Sequence, residues 1–206
     1  MTQVRSVTQG LIRQIELDLL LVLNKHYYVN QQTFAQISPH NMAKHELCHL
    51  TKALYKIQAA CDDTNADNVF ILINELAPDL IIYALEVSVS FEIPWWNDIC
   101  QIETTSDEPL LNCLCNKIGK KYNSEEEMLA DVRRMLIKSV SRLGHLCDKT
   151  DHGQDAYVRV SSEVIFPFLK ASFSIANFYS LDLHEQYQKR LRFVESKYVG
   201  QLALNK

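Results

Sequence analysis

The sequence predicts an all-α protein. Three observations carry that expectation: apolar residues recur at spacings of three and four, only 5 Gly and 5 Pro are spread over 206 residues, and the polar and turn-forming residues fall between the periodic stretches. A strand-rich fold needs more turn residues than this. With 47% hydrophobic residues the chain can bury a full core, and its length suits one large domain or two of about 100 residues each.

The elements follow in order. Leu11, Ile12, Ile15, Leu19, Val22 and Leu23 form a helical stripe over 10–29. Ser38-Pro39 resembles a helix start, and Met42, Leu47, Leu50, Leu54 and Ile57 keep helical spacing until the polar stretch 62–67. A third helix is expected over 68–91, kinked at Pro78, which lacks a backbone donor. From 104 to 124 the chain turns polar, with Pro109 and Gly119, and reads as a linker between a first unit (1–103) and a second (125–206). Ser124-Glu125-Glu126-Glu127 is a capping-box start for a helix over 125–149. Gly153 marks a turn, a helix interrupted by Pro167 covers 157–179, and the last helix covers 183–199.

Composition narrows the function. Five glycines cannot line a phosphate-cradling loop, so P-loop and Rossmann readings are poor. A formal charge of −4 gives no concentrated basic surface for a nucleic-acid backbone. The six cysteines, Cys48, Cys61, Cys100, Cys113, Cys115 and Cys147, show no C-x-x-C pair, and the N-terminus lacks the pattern of a signal peptide. Reduced thiols in a cytoplasmic protein are the expectation, with Cys48 and Cys147 buried inside helices as small hydrophobes. The run Leu17 to Leu23 is interrupted by Asp18 and is far shorter than the ~20 residues of a membrane span, so no membrane segment is expected.

One constellation carries chemistry. His45-Glu46-Leu47-Cys48-His49 is followed by Glu75 and Asp79 in Asn74-Glu75-Leu76-Ala77-Pro78-Asp79. Read as HExxH, His45 and His49 share a helical face and bind zinc, with Glu46 as general base and Glu75 as third ligand. Against a zinc peptidase stands the context, since the 44 residues before His45 read as helical where such enzymes place a sheet. Read as acidic helices, Glu46, Glu75 and Asp79 hold a hard cation such as magnesium against a phosphate.

The two halves also echo each other. His49-Leu50 matches His145-Leu146 at an offset of 96, and Asp79 matches Pro167 at 88, the difference falling in a loop.

In these motifs the sequence resembles the all-α nucleoside triphosphate pyrophosphohydrolases of the MazG-like superfamily. The stretch from His45 to Leu54 resembles that family's E-E-x-x-E-L-x-x-A-L helix. The stretch from Glu75 to Leu85 resembles its E-E-L-x-D-x-L-x-Y-L helix, and Ser180-Leu181-Asp182-Leu183 its turn into a further helix. The resemblance implies two tandem MazG-like four-helix units forming a single-chain pseudo-dimer, in which carboxylates hold magnesium while water cleaves between the α and β phosphates. Carried over, it puts Glu46 at the first ligand position, His49 at the second, Leu76 at the third and Asp79 at the fourth. Glu75 lies one residue off, four before Asp79. The second half offers Arg142, His145, Val164 and Pro167, which cannot hold magnesium in that way.

The expectation is therefore a nucleotide-binding protein with an impaired site in its first half. Glu46, Glu75 and Asp79 would hold magnesium, and His49 would position water or phosphate. The partner would be a nucleotide or other phosphorylated small molecule, and homodimerisation is compatible with the reading. The alternatives are a non-catalytic helical interaction protein and the zinc peptidase. Trp95-Trp96 close the core at a helix end, and Lys189, Arg190 and Lys197 form a solvated basic face.

Overall fold

The computed structural model describes residues 39–91, 93, 109–155 and 157–204. The helix expected over 10–29, Cys100 and Trp95-Trp96 lie outside these residues. The described residues are helical and contain no strand. In chain order they form α1 (Pro39–Asp62), α2 (Ala66–Ile71), a π turn (Leu72–Leu76), α3 (Ala77–Ser90), α4 (Leu110–Ile118), α5 (Glu125–Asp151), a second π turn (Ser161–Ile165), α6 (Phe166–Phe178) and α7 (Leu183–Leu204).

The capping signals act where they were read. Ser124 Oγ accepts the Glu127 N–H at 3.2 Å and opens α5. Asn65 does the same for α2 through the Asn68 N–H at 2.9 Å. After α5 the chain reverses at Gly153, whose φ of +62° is one that glycine adopts without a Cβ clash. Asp182 Oδ1 accepts both the Glu185 N–H and the Asn112 side-chain N–H at 2.9 Å. That fixes the start of α7 and ties it to α4.

Neither proline breaks its helix. Proline has no N–H to donate, and its ring collides with the carbonyl four residues earlier, so a regular α-helix cannot pass through it unchanged. In both hairpins a π turn comes immediately before it: the Ala77 N–H reaches back to the Leu72 carbonyl, and the Phe166 N–H to the Ser161 carbonyl. The extra residue of the π turn accommodates the missing donor and the ring beside Pro78 and Pro167. The two π turns and the two prolines each stand 89 residues apart, one more than the spacing that paired Asp79 with Pro167. In this register the position of Asp79 is taken by Phe168 and that of Glu86 by Ile175, both fully buried.

The stretch 104–124 is not simply a linker. It contains α4, whose Leu111, Cys113, Leu114 and Cys115 are buried and which packs on α6. Gly119 lets the chain leave α4 hard against α6, since a Cβ there would lie 2.6 Å from the Phe173 carbonyl oxygen. Ser174 Oγ accepts the Lys120 N–H at 3.2 Å and Asn177 donates to the Gly119 carbonyl at 3.2 Å, so the exposed backbone polar groups at this crossing are satisfied.

Packing runs across the halves. The principal partner of α1 is α5, and that of α3 is α6, while α7 returns to lie on α3 and α4. One cluster of buried residues, including Leu50, Ile57, Leu80, Leu85, Leu136, Phe168, Phe173 and Tyr187, joins all these helices. Ser172 Oγ donates to the Ala77 carbonyl at 2.6 Å and pins α6 to the first turn of α3. Cys147 is buried as expected, but Cys48 is exposed because it falls on the outer face of α1. The stretch Ala66–Ser88 is long and apolar enough to cross a bilayer, and 56% of its most apolar window is buried inside this fold. The expectation of no such segment rests on residues 17–23 and does not weigh this stretch, which meets the requirements of length and apolarity.

Candidate functional site

Three helices bring charged groups into one apolar neighbourhood. From α1 come His45, Glu46, His49 and Lys56; from the π turn and α3 come Glu75, Asp79, Tyr83 and Glu86, whose spacings of four, four and three keep one face. From α7 comes Arg190. The extra residue of the π turn lies between Glu75 and Asp79, so both carboxylates still reach the same lysine. Lys56 Nζ stands 2.6 Å from Glu75 Oε2 and 3.6 Å from Asp79 Oδ2.

Asp79 is the most constrained of these acids. It is 4% exposed and accepts two parallel hydrogen bonds from Arg190, Nε to Oδ1 at 2.6 Å and Nη2 to Oδ2 at 2.8 Å. This fork matches a carboxylate edge and fixes its orientation. Desolvation would lower the Arg190 guanidinium, but the hydrogen bonds and charge of Asp79 outweigh it and hold the group above its ordinary pKa. The guanidinium also lies 5.2 Å from the Phe193 ring centre. Arg190 is therefore a half-buried counter-ion rather than part of a solvated basic face, whereas Lys189 is exposed and pairs with Glu185 at 2.8 Å.

Glu46 occupies a different kind of place. It is fully buried, and neither carboxylate oxygen meets an N–H or hydroxyl donor among the described residues. Its polar neighbour is the Glu86 carboxyl, and two carboxylates form a hydrogen bond only when one carries a proton. Burial, then the Glu86 charge, then the bond to Glu86 push the Glu46 carboxyl well above its usual range. Glu86 is also raised, first by desolvation even though part of the residue reaches solvent, with the Glu46 hydrogen bond opposing and the Asp79 charge adding. Burial and the mutual repulsion of the two acids thus favour the protonated form of the pair. Tyr83 sits among them; burial and the charges of Asp79, Glu46 and Glu86 raise its phenol, against the effect of Arg190.

The histidines of HELCH face each other. Their Nε2 atoms are 3.0 Å apart and their rings meet edge to face. His49 lies 5.4 Å from the Tyr83 ring. Burial, helped by the Lys52 charge, lowers the His45 pKa, so this imidazole is neutral at physiological pH.

Of the residues singled out in the sequence, Glu75 and Asp79 are brought together by Lys56, while Glu46 turns toward Glu86. Among the described residues no group of three or more His, Cys, Asp or Glu side chains is arranged to hold a metal ion. Magnesium fits this donor set poorly, because Asp79 and Glu75 are neutralised by Arg190 and Lys56 and Glu46 turns away from them toward Glu86. The equivalent corner of the second hairpin holds an ion pair as well, Arg142 to Glu163 at 2.9 Å, with the Arg159 N–H on the same oxygen at 3.0 Å. A cavity of about 220 Å³ lined by Cys61, Asp62, Thr64, Glu126, Leu129, Ala130 and Arg133 lies beyond the α1 end of this cluster and includes none of its acids.

Sequence reasoning missed Lys56, Tyr83, Glu86 and the partner of Arg190. A signal existed for Glu86, an acid inside the apolar run Leu80–Val87 and two helical turns from Asp79. None existed for Arg190, which meets Asp79 across 111 residues of sequence. In comparisons with known proteins, the chain matches no family model, no curated protein and no solved structure.

Proposed function

We propose that the chain is a MazG-like helical pseudo-dimer whose pyrophosphohydrolase site is impaired, and that it binds a nucleotide or related phosphorylated molecule without hydrolysing it. The observation that carries this reading is the forked grip of Arg190 on Asp79, the carboxylate at the family's fourth ligand position. Where the family uses a divalent cation to balance its acids, this chain supplies two positive side chains of its own, Arg190 and Lys56. Arg190 keeps N–H groups beyond the two given to Asp79, and donors of that kind are what phosphate oxygens accept. The replacement of Asp79 and Glu86 by Phe168 and Ile175 in the second hairpin supports a copy kept for packing.

The experiment is thermal unfolding of the full chain with a panel of nucleoside mono-, di- and triphosphates, each with and without magnesium. The expected result is a rise in midpoint for at least one nucleotide, equal in the two conditions; a ligand at 100 times its dissociation constant adds about 2.7 kcal/mol. A magnesium-dependent rise lost in Asp79→Asn would instead restore the hydrolase reading. Indifference to every nucleotide would favour a helical interaction protein.

A further inference from the structure

The two histidines of HELCH take no part in the grip of Arg190 and Lys56 on Asp79. As a peptidase motif HELCH fails in this fold, because Glu46 would have to face a metal-bound water as general base and is instead fully buried against Glu86. The histidines are another matter. One helical turn apart on α1, they direct two imidazole nitrogens at a common point, half-buried and with His49 packed against Tyr83.

We propose that His45 and His49 form a chelating site for a divalent transition metal of the zinc class, with the other coordination positions filled by water or an external ligand. The 3.0 Å between the Nε2 atoms suits this. With metal–nitrogen bonds of about 2.0–2.1 Å, nitrogens at that distance subtend roughly 90–100° at the metal. That is the angle between neighbouring ligands in octahedral or square geometry, and an opening of a few tenths of an ångström brings it to tetrahedral. The exchange is simple: the N–H shared between the rings moves to Nδ1, both Nε2 lone pairs turn to the metal, and no proton needs to leave a neutral pair. The Lys52 charge opposes a cation here, so the affinity is that of a two-histidine chelate and not of a closed structural zinc site. Imidazole selects zinc, nickel or copper over magnesium, which separates this site from the carboxylate locus around Asp79.

The test is calorimetric titration of the reduced full chain with zinc. One equivalent is expected to bind, His45→Ala and His49→Gln each weakening it at least tenfold, with His145→Gln unchanged. A second measurement uses the unaltered protein, so that a poorly folded variant leaves the question open to no one: zinc should shift the ring-nitrogen NMR signals of His45 and His49 together. Absence of one-to-one binding, equal binding by all three variants, or ring signals that stay in place would each overturn the proposal.

Discussion

Replacing Arg190 by alanine is expected to destabilise the protein by about 3 kcal/mol, toward the lower end of what breaking a buried ion pair costs. Asp79 is only 4% exposed, and without Arg190 its nearest positive group is Lys56 at 3.6 Å, already engaged with Glu75 at 2.6 Å. Lys56 moderates the loss but cannot supply the two-pronged hydrogen bonding of a guanidinium. For a chain of this length the loss corresponds to a fall of roughly 6–12 °C in the unfolding midpoint. Arg190→Lys should fall between, because it keeps the charge and loses the fork. The double variant Asp79→Asn, Arg190→Met should recover most of the loss, since it removes the stranded charge together with its partner. Urea unfolding of the four proteins checks this, and a loss below about 1 kcal/mol in Arg190→Ala would show that Asp79 does not depend on α7.

The opposite sign is expected at Glu46. Glu46→Gln should stabilise the protein by about 1–3 kcal/mol at neutral pH, the range that an unsatisfied buried polar group costs. The amide can donate to Glu86 at any pH, whereas the carboxyl needs a proton to do so. The pH dependence follows. A carboxyl raised in the folded state binds more protons there than when unfolded, so its contribution is complete below the ordinary value of 4.5 and is lost as pH rises through the folded value. Parent stability should therefore decline relative to Glu46→Gln from about pH 4.5 upward, and the two should converge at lower pH. The comparison between them matters because His45 acts in the opposite sense: its lowered pKa favours the fold as pH rises toward 6.5. Asp131, held low by Tyr122, Lys120 and Arg134 against desolvation, acts in a separate window below its ordinary 3.8. Urea midpoints at several pH values read these windows directly. Destabilisation by Glu46→Gln across the range would mean that the charged carboxylate has a partner this account does not give it.

How much of this was legible in the sequence depends on the range of the interaction. Helix spans and caps are local, so Ser124 and Gly153 marked their ends correctly, while the Ser38 cap lies outside the described residues. The π turns left only an indirect trace. The acid pattern before Asp79 ran one residue long with a proline inside it, and an inserted residue in a helix looks the same in one dimension as a motif out of register. α4 was missed although its apolar residues keep one face, because it is only nine residues long and follows a proline that makes no side-chain cap. The acids were visible as candidates, yet their roles were decided by groups far away in the chain. Asp79 looked like a free ligand until Arg190 arrived from α7, and Glu46 until Glu86 faced it.

The arrangement on which the reading turns is Arg190, and not a divalent cation, holding the Asp79 carboxylate. It is tested most directly by the Arg190 Nε–H signal in a proton–nitrogen NMR spectrum, recorded with and without millimolar magnesium. The account predicts a resolved, slowly exchanging signal that magnesium leaves in place and that Asp79→Asn shifts. A signal that magnesium moves to the position seen in Asp79→Asn would mean that the cation takes the carboxylate from Arg190, and would contradict it.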